Sequence, residues 1–152
     1  RLSELVEPGM PAVIGGPHGR FSHLKGTNRQ VWIAGGVGVA PFLSWLRALD
    51  VPQLQQRVDF FYSADGEAPF AEEIRAIARR HDSLRAHVID TGSDGRLTPE
   101  RVLAAVAGDP GERRELSVFM CGPQGMLRTF QTELRKAGVP ARRIHREYFD
   151  WR

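Results

Sequence analysis

The stretch Val31–Pro41, read as VWIAGGVGVAP, constrains this chain more than any other. An apolar run ends in three glycines, and a proline then opens a helix-like segment. The run has the composition of a strand buried on both faces. The glycines permit a tight turn and let a ligand approach the backbone with no Cβ in the way. Pro41 suits the first helical position, where an N–H has no partner to lose. The helix that follows points its free N–H groups and its positive dipole end back at the turn, which favours a bound anion such as a pyrophosphate. A plain turn would also use such glycines, so the stretch does not by itself fix a function.

A second stretch repeats the pattern. Leu116–Met120 is another apolar run, and it leads into Cys121-Gly122-Pro123-Gln124-Gly125-Met126. Between and after the two, strand and helix signals alternate. Helices are predicted over 41–50, 69–81, 98–107 and 123–137, and further strands over 57–62, 84–90 and about 142–149. The helix over 69–81 has Phe70, Ile74 and Ile77 at helical spacing, and the one over 123–137 has Met126, Phe130 and Leu134. Thr98 and Pro99 form a start signal for the third helix. Five strands alternating with four helices predict an α/β domain, an open three-layer arrangement with a parallel sheet covered on both faces. Ligands of such sheets sit beyond the carboxyl ends of the strands. Both glycine motifs fall at such ends and can serve one site.

Composition narrows the function classes. The chain has 152 residues, enough for one domain with a substantial core. A formal charge of +3 is modest and the basic residues are scattered, which argues against a nucleic-acid partner. Arg142, Arg143, His145 and Arg146 form the one cluster. One cysteine excludes an internal disulfide and fits a reducing compartment, so a cytoplasmic location is expected. No apolar stretch is long enough to span a bilayer, and no signal peptide is visible. The first residue is Arg1, so the chain is expected to start within a longer protein, and to be monomeric as a fragment. The P-loop pattern is missing, and one cysteine with five dispersed histidines gives no metal-ligand spacing.

The motifs GGVGVAP and CGPQGM, with Gly16-Pro17-His18-Gly19-Arg20-Phe21 before them and Glu147-Tyr148-Phe149-Asp150-Trp151-Arg152 at the end, resemble the NAD(P)-binding domain of the ferredoxin–NADP⁺ reductase superfamily. Within it they are most similar to bacterial ferric reductase and NADPH oxidase-like reductases. The resemblance implies strand order 3-2-1-4-5. It implies residues 1–30 as the end of a preceding FAD-binding β-barrel domain and residues 31–152 as the nucleotide domain. It also implies hydride transfer from NAD(P)H to FAD, with onward transfer to haem or ferric iron. The implied partners are that FAD-binding domain and a haem-bearing membrane domain anchored in the inner membrane.

The site residues follow from the same resemblance. Gly35, Gly36, Val37 and Gly38 would cradle the cofactor, with Pro41 starting the helix behind them. The family usually has Thr or Ser where this chain has Ala40, so one hydroxyl contact is lost. Cys121 would lie beside the nicotinamide, with Gly122, Pro123 and Met126 shaping the pocket. Glu147 would lie near the cysteine and Phe149 would cover the flavin. His18, Gly19, Arg20 and Phe21 would meet the flavin side, Arg20 at a phosphate. Nucleotide choice would rest on the end of the second strand, Ser63-Ala64-Asp65-Gly66. Asp65 would repel a 2′-phosphate and accept from a ribose hydroxyl, favouring NADH, while Arg96 offers a competing phosphate contact. Three rivals remain at this level: a phosphoacceptor domain of a response regulator, an S-adenosylmethionine-dependent methyltransferase, and a non-catalytic nucleotide sensor. The first needs an acidic cluster where Gly35-Gly36 stand, and the second leaves the Cys-Gly-Pro motif unexplained.

Overall fold

The structure is a computed structural model that describes residues 7, 9–13, 15, 20–49, 54–66, 68–106 and 109–147. His18, Gly19, Tyr148, Phe149 and Trp151 lie outside the described residues.

Five strands form one parallel sheet: β1 (Arg29–Gly35), β2 (Arg57–Ala64), β3 (Leu84–Asp90), β4 (Leu116–Cys121) and β5 (Ile144–Glu147), in the order β3-β2-β1-β4-β5. The helices between them are α1 (Ala40–Arg47), α2 (Ala71–Ala78), α3 (Pro99–Val106), α4 (Pro110–Glu115) and α5 (Gln124–Lys136). The expected α/β class and strand order are both found. The central strands β1 and β4 are mainly apolar because both of their faces are covered, with Gln30 and Ser117 as buried polar exceptions. Val31, Ile33, Val118 and Met120 pack with Leu127, Phe130 and Leu134 of α5 and with Val102 and Leu103 of α3. Trp32, Ala34, Phe119 and Cys121 face the other way, onto Phe42 and Leu46 of α1 and Ile74 and Ile77 of α2. The edge strand β3 is covered less completely, with Leu84 and Ile89 buried on opposite faces, Arg85 exposed and the remaining residues half-buried.

Three local readings change. Phe70 is not a core residue of the second helix. It precedes α2 in a left-handed conformation (φ 67°), and its ring is 47% exposed, while Ile74 and Ile77 are buried as expected. In α5 the buried stripe runs through Leu127, Phe130 and Leu134, and Met126 is only half-buried at its edge. The short helix α4 went unread, although its start signal is plain: Pro110 opens it, and the Asp109 carboxylate accepts the Glu112 N–H at 2.9 Å.

The chain ahead of β1 is tied to this unit. The Phe21 ring stacks on Trp45 (4.9 Å between centroids, 26°) and meets Phe42 and Phe119 edge-on. The Gln30 side chain donates to the carbonyls of His23 and Thr27 and accepts from Trp32 Nε1, all at 2.9–3.0 Å. Thr27 N–H donates to Ser117 Oγ at 2.9 Å, fixing the entry to β1 against β4.

Candidate functional site

The carboxyl ends of β1, β2 and β4 lie side by side. Gly35 pairs with Ser63, and Ala34 pairs with Cys121. Past Gly35 the chain makes a 3₁₀ turn, Gly36–Val39, that feeds α1 with Pro41 in its first turn. The glycines here do different things. A Cβ on Gly38 would stand 2.2 Å from the Cys121 carbonyl oxygen and 2.7 Å from the Gly122 nitrogen. A Cβ on Gly122 would stand 3.1 Å from Gly35 backbone. These residues let the β1 turn and the β4 end close on each other. Gly36 is the opposite case: its φ is +53°, and a Cβ there would meet nothing within 4 Å. It is exposed, so its backbone can be approached with no Cβ in the way.

That space is a cavity of about 670 Å³ between the ends of β1, β2 and β3 and the starts of α3 and α5. The structure brings Gly35, Gly36, Ser63, Asp65, Arg96, Pro123 and Met126 of the expected residues to its wall. Thr91, Thr98, Glu100, Gly125 and Thr129 also line it and were not foreseen. They come from separate elements, so no sequence spacing joins them. Two features hold the rim. The Asp90 carboxylate accepts the N–H groups of Gly92 (2.9 Å) and Gly66 (3.0 Å), and these donors hold it below the usual carboxylate range. The Thr91 hydroxyl donates to Asp65 at 3.4 Å, and the Thr91 N–H donates to the Ala64 carbonyl at 2.8 Å. Arg96 makes no hydrogen bond or ion pair among the described residues. The charged groups on the wall are therefore one cation, Arg96, and two carboxylates, Asp65 and Glu100.

Other expected residues sit elsewhere. Cys121 is fully buried beneath the closed turn, on the α1 face of the sheet. Burial, reinforced by the Glu147 carboxylate paired beside it, pushes its thiol up to about 11. It is a neutral, inert group at neutral pH, suited to shaping a wall and not to attack. Val37 is 61% exposed and lines a second cavity, on the other side of Gly36. Arg20 is exposed, and the Phe21 ring is engaged by the aromatic side chains of its own domain. Among the described residues there is no cluster able to hold a metal ion and no helix long and apolar enough to cross a membrane.

Comparison with known proteins gives the family and the fold. A family model described as oxidoreductase NAD-binding domain matches residues 32–132. Flavohemoprotein A of Dictyostelium discoideum is 26% identical over 125 residues, which cover 81% of this chain and 31% of that protein. The carnitine monooxygenase reductase subunit of Escherichia coli K12 is 24% identical over 148 residues, covering 97% of this chain and 43% of the relative. The chain thus spans less than half the length of these relatives. Among solved structures, the flavohem-like FAD/NAD-binding domain of a nitric oxide dioxygenase from Vibrio cholerae superposes with a TM-score of 0.67 at 22% identity, covering 87% of this chain and 55% of that one. This last likeness is one of fold.

Proposed function

The chain belongs to the oxidoreductase NAD-binding domain family, and from that premise we propose that it is the pyridine-nucleotide-binding half of a flavin-dependent reductase. The observation that carries the reading is the contrast at the end of β1. Gly38 and Gly122 are spent on closing the turn against β4, whereas Gly36 is left-handed with open space before it and borders the cavity. A backbone held in that conformation next to a helix start is a place for a pyrophosphate. The adenosine half then enters the cavity between Pro123, Met126 and the Arg96–Pro99 loop, and the nicotinamide half runs toward the β4 end above Cys121.

In this reading NAD(P)H is the substrate, and FAD on an adjoining domain supplies the electron sink for its hydride. The described residues do not make a flavin cradle of their own, since Phe21 is packed into the core and Arg20 stands alone. What this chain contributes is orientation. The closed turn fixes the pyrophosphate, the buried Cys121 and its neighbour Glu147 set the wall beside the nicotinamide, and water is kept from that wall by burial. We infer haem or ferric iron as the onward acceptor, as a haem-bearing membrane domain of the parent would provide. NADH is the favoured nucleotide. A 2′-phosphate would enter a wall carrying two carboxylates and a single cation, while Asp65 is free to accept from a ribose hydroxyl.

Gly125 gives a direct test. It lies in the first turn of α5 on the cavity wall, and a Cβ there meets nothing within 4 Å. Gly125→Leu should fill the cavity without straining the backbone. The expected result, by calorimetric titration with NADH, is at least a tenfold loss of affinity with an unchanged melting temperature. An unchanged affinity would overturn the placement of the nucleotide.

A further inference from the structure

On the other side of Gly36 lies a larger cavity, about 930 Å³, that the nucleotide reading does not use. Its walls come from α1 and from the loop before α2, on the sheet face opposite α3 and α5. It shares only Gly36, Ala64 and Asp65 with the first cavity. Its volume falls in the range of small-molecule sites, about 300–1,000 Å³.

Three observations mark it as built. The Phe70 ring stands at its edge, and the residue's φ of 67° is a conformation that a bulky side chain adopts only at a cost of order 1–3 kcal/mol. The ring is then held in place. The Arg47 guanidinium sits 5.8 Å from its centroid and is itself fixed by two hydrogen bonds to Glu73, at 2.7 and 2.9 Å. On the inner wall is Tyr62, 99% buried, whose hydroxyl has no hydrogen-bond partner among the described residues. With no partner inside the described protein, that hydroxyl is available to donate to a group in the cavity. Most of the remaining wall is apolar, with Leu43, Val39 and the exposed Val37, while Ser44 and Asp65 add polar groups.

Charge selects the ligand further. Arg47 and Asp65 are the charged groups on the wall, and Glu73 already neutralises Arg47. Among the described residues an anion would find no free cation there. We propose that this cavity is a second binding site, for a neutral planar aromatic molecule carrying a hydrogen-bond acceptor. The ligand's face lies against Phe70, and its acceptor meets the Tyr62 hydroxyl. The site is separate from the nucleotide cavity and stands whether or not that cavity takes NADH.

The probe is 2-quinolinone, a neutral bicyclic lactam, titrated into the chain and followed by two-dimensional ¹H–¹⁵N NMR. Saturable shifts confined to the amides around Val37, Leu43 and Phe70 are expected, and saturating NADH should leave them in place. Phe70→Gly removes the ring and relieves the backbone, so it should keep a dispersed spectrum and lose at least tenfold in affinity. Tyr62→Phe keeps the ring and deletes only the hydroxyl, and should lose about fivefold. No saturable binding, equal binding by the wild type and both variants, or displacement of the probe by NADH would each overturn the proposal. The last outcome would give this cavity to the nucleotide. NADH shifts around Arg96, Thr98 and Met126 in the same samples report on the first cavity independently.

Discussion

Replacing Gly38 by alanine should damage this domain more than any other single methyl added to its glycines at the sheet edge. Its φ is not in the left-handed region, so backbone preference contributes nothing to the cost. The cost is steric. The new Cβ would stand 2.2 Å from the Cys121 oxygen, 2.5 Å from its carbonyl carbon and 2.7 Å from the Gly122 nitrogen. Clearing the oxygen requires a shift of about 0.8 Å or more between two backbones, and neither can rotate away as a side chain would. One is the turn into α1, and the other is the end of β4, paired with β1 and β5. Overpacking of this kind costs about 1–3 kcal/mol, and rigid backbone on both sides places Gly38→Ala near about 3 kcal/mol. For a domain of this size that is a fall in Tm of about 6–12 °C. Two sister variants calibrate it. Gly36→Ala meets no atom and should cost only the left-handed conformation, about 1–2 kcal/mol. Gly125→Ala, helical and open, should gain up to about 0.5–1 kcal/mol. Urea unfolding at constant m-value measures all three. If Gly38→Ala proves as mild as Gly36→Ala, the closed turn is not packed as argued, and the assignment of Gly36 alone to the ligand falls with it.

Other consequences are open to measurement. Cys121 should resist a thiol reagent at pH 7 in the folded chain and react at once in denaturant; prompt labelling of the native chain would refute its burial. Because its folded pKa, about 11, lies above the ordinary value of 9.0, folding holds the thiol proton more tightly than the unfolded chain does. Stability should therefore decline as pH rises from about 9 to about 11, and Cys121→Ser should flatten that decline in a pH series of melting curves. Asp65→Arg should shift preference toward NADPH; if the wild type already prefers NADPH and Arg96→Ala abolishes that preference, Arg96 decides the matter. Asp59, buried between Arg29 (2.9 Å) and His87 (3.1 Å), should cost about 3–5 kcal/mol when replaced by alanine, read by urea unfolding; a loss under about 1 kcal/mol would show that Arg29 is solvated without it.

The parts of this molecule legible in the sequence are those where local chemistry and tertiary role coincide. Val31–Ala34 and Leu116–Met120 read as strands because burial on both faces demands predominantly apolar residues, and the strands are where they were expected. Proline and threonine at 98–99 announced α3 for the same local reason. The failures are places where one pattern serves two purposes. Phe70 has the spacing of a core residue with Ile74 and Ile77, but the chain enters α2 through a left-handed residue that swings the ring outward. Its neighbour Pro69 was a warning, since proline ahead of it marks a helix start more often than a helix interior. Gly36 and Gly38 are identical letters two positions apart; only the approach of the β4 carbonyl separates the glycine that packs from the glycine that is open. Thr91, Thr98 and Thr129 converge on one cavity from three elements, which no periodicity predicts.

The two ends of the sheet divide stability from function for a reason visible in the charges. In the amino-terminal half, Asp59 is the one fully buried carboxylate among the described residues: its Oδ1 is hydrogen-bonded to His87 Nε2, its Oδ2 makes no hydrogen bond but lies 2.9 Å from the Arg29 guanidinium, and His87 is in turn stacked on Phe61 at 4.3 Å. Buried and ion-paired in this way, that charge is closed to a ligand. At the carboxyl end the polar groups are left partly unanswered: Arg96 has no partner among the described residues, Asp65 has one long contact with Thr91, and the Tyr62 hydroxyl has none. Asp90 shows how that openness is sustained. Its carboxylate is consumed by the N–H groups of Gly66 and Gly92, which binds the loops after β2 and β3 to each other and holds Asp65 at the rim without neutralising it. Asp90→Ala should therefore loosen both loops and weaken nucleotide binding although the residue itself need not touch the nucleotide. The sign of its action on pH dependence follows. The carboxyl is held low by folding, so its contribution is present above the ordinary carboxylate range and is lost as pH falls through its depressed value. NADH affinity measured downward in pH should drop in the wild type as this latch protonates, and the drop should be absent in Asp90→Asn, whose amide oxygen still accepts the two N–H groups at any pH. A wild-type profile that stays flat until the whole domain unfolds would refute the latch.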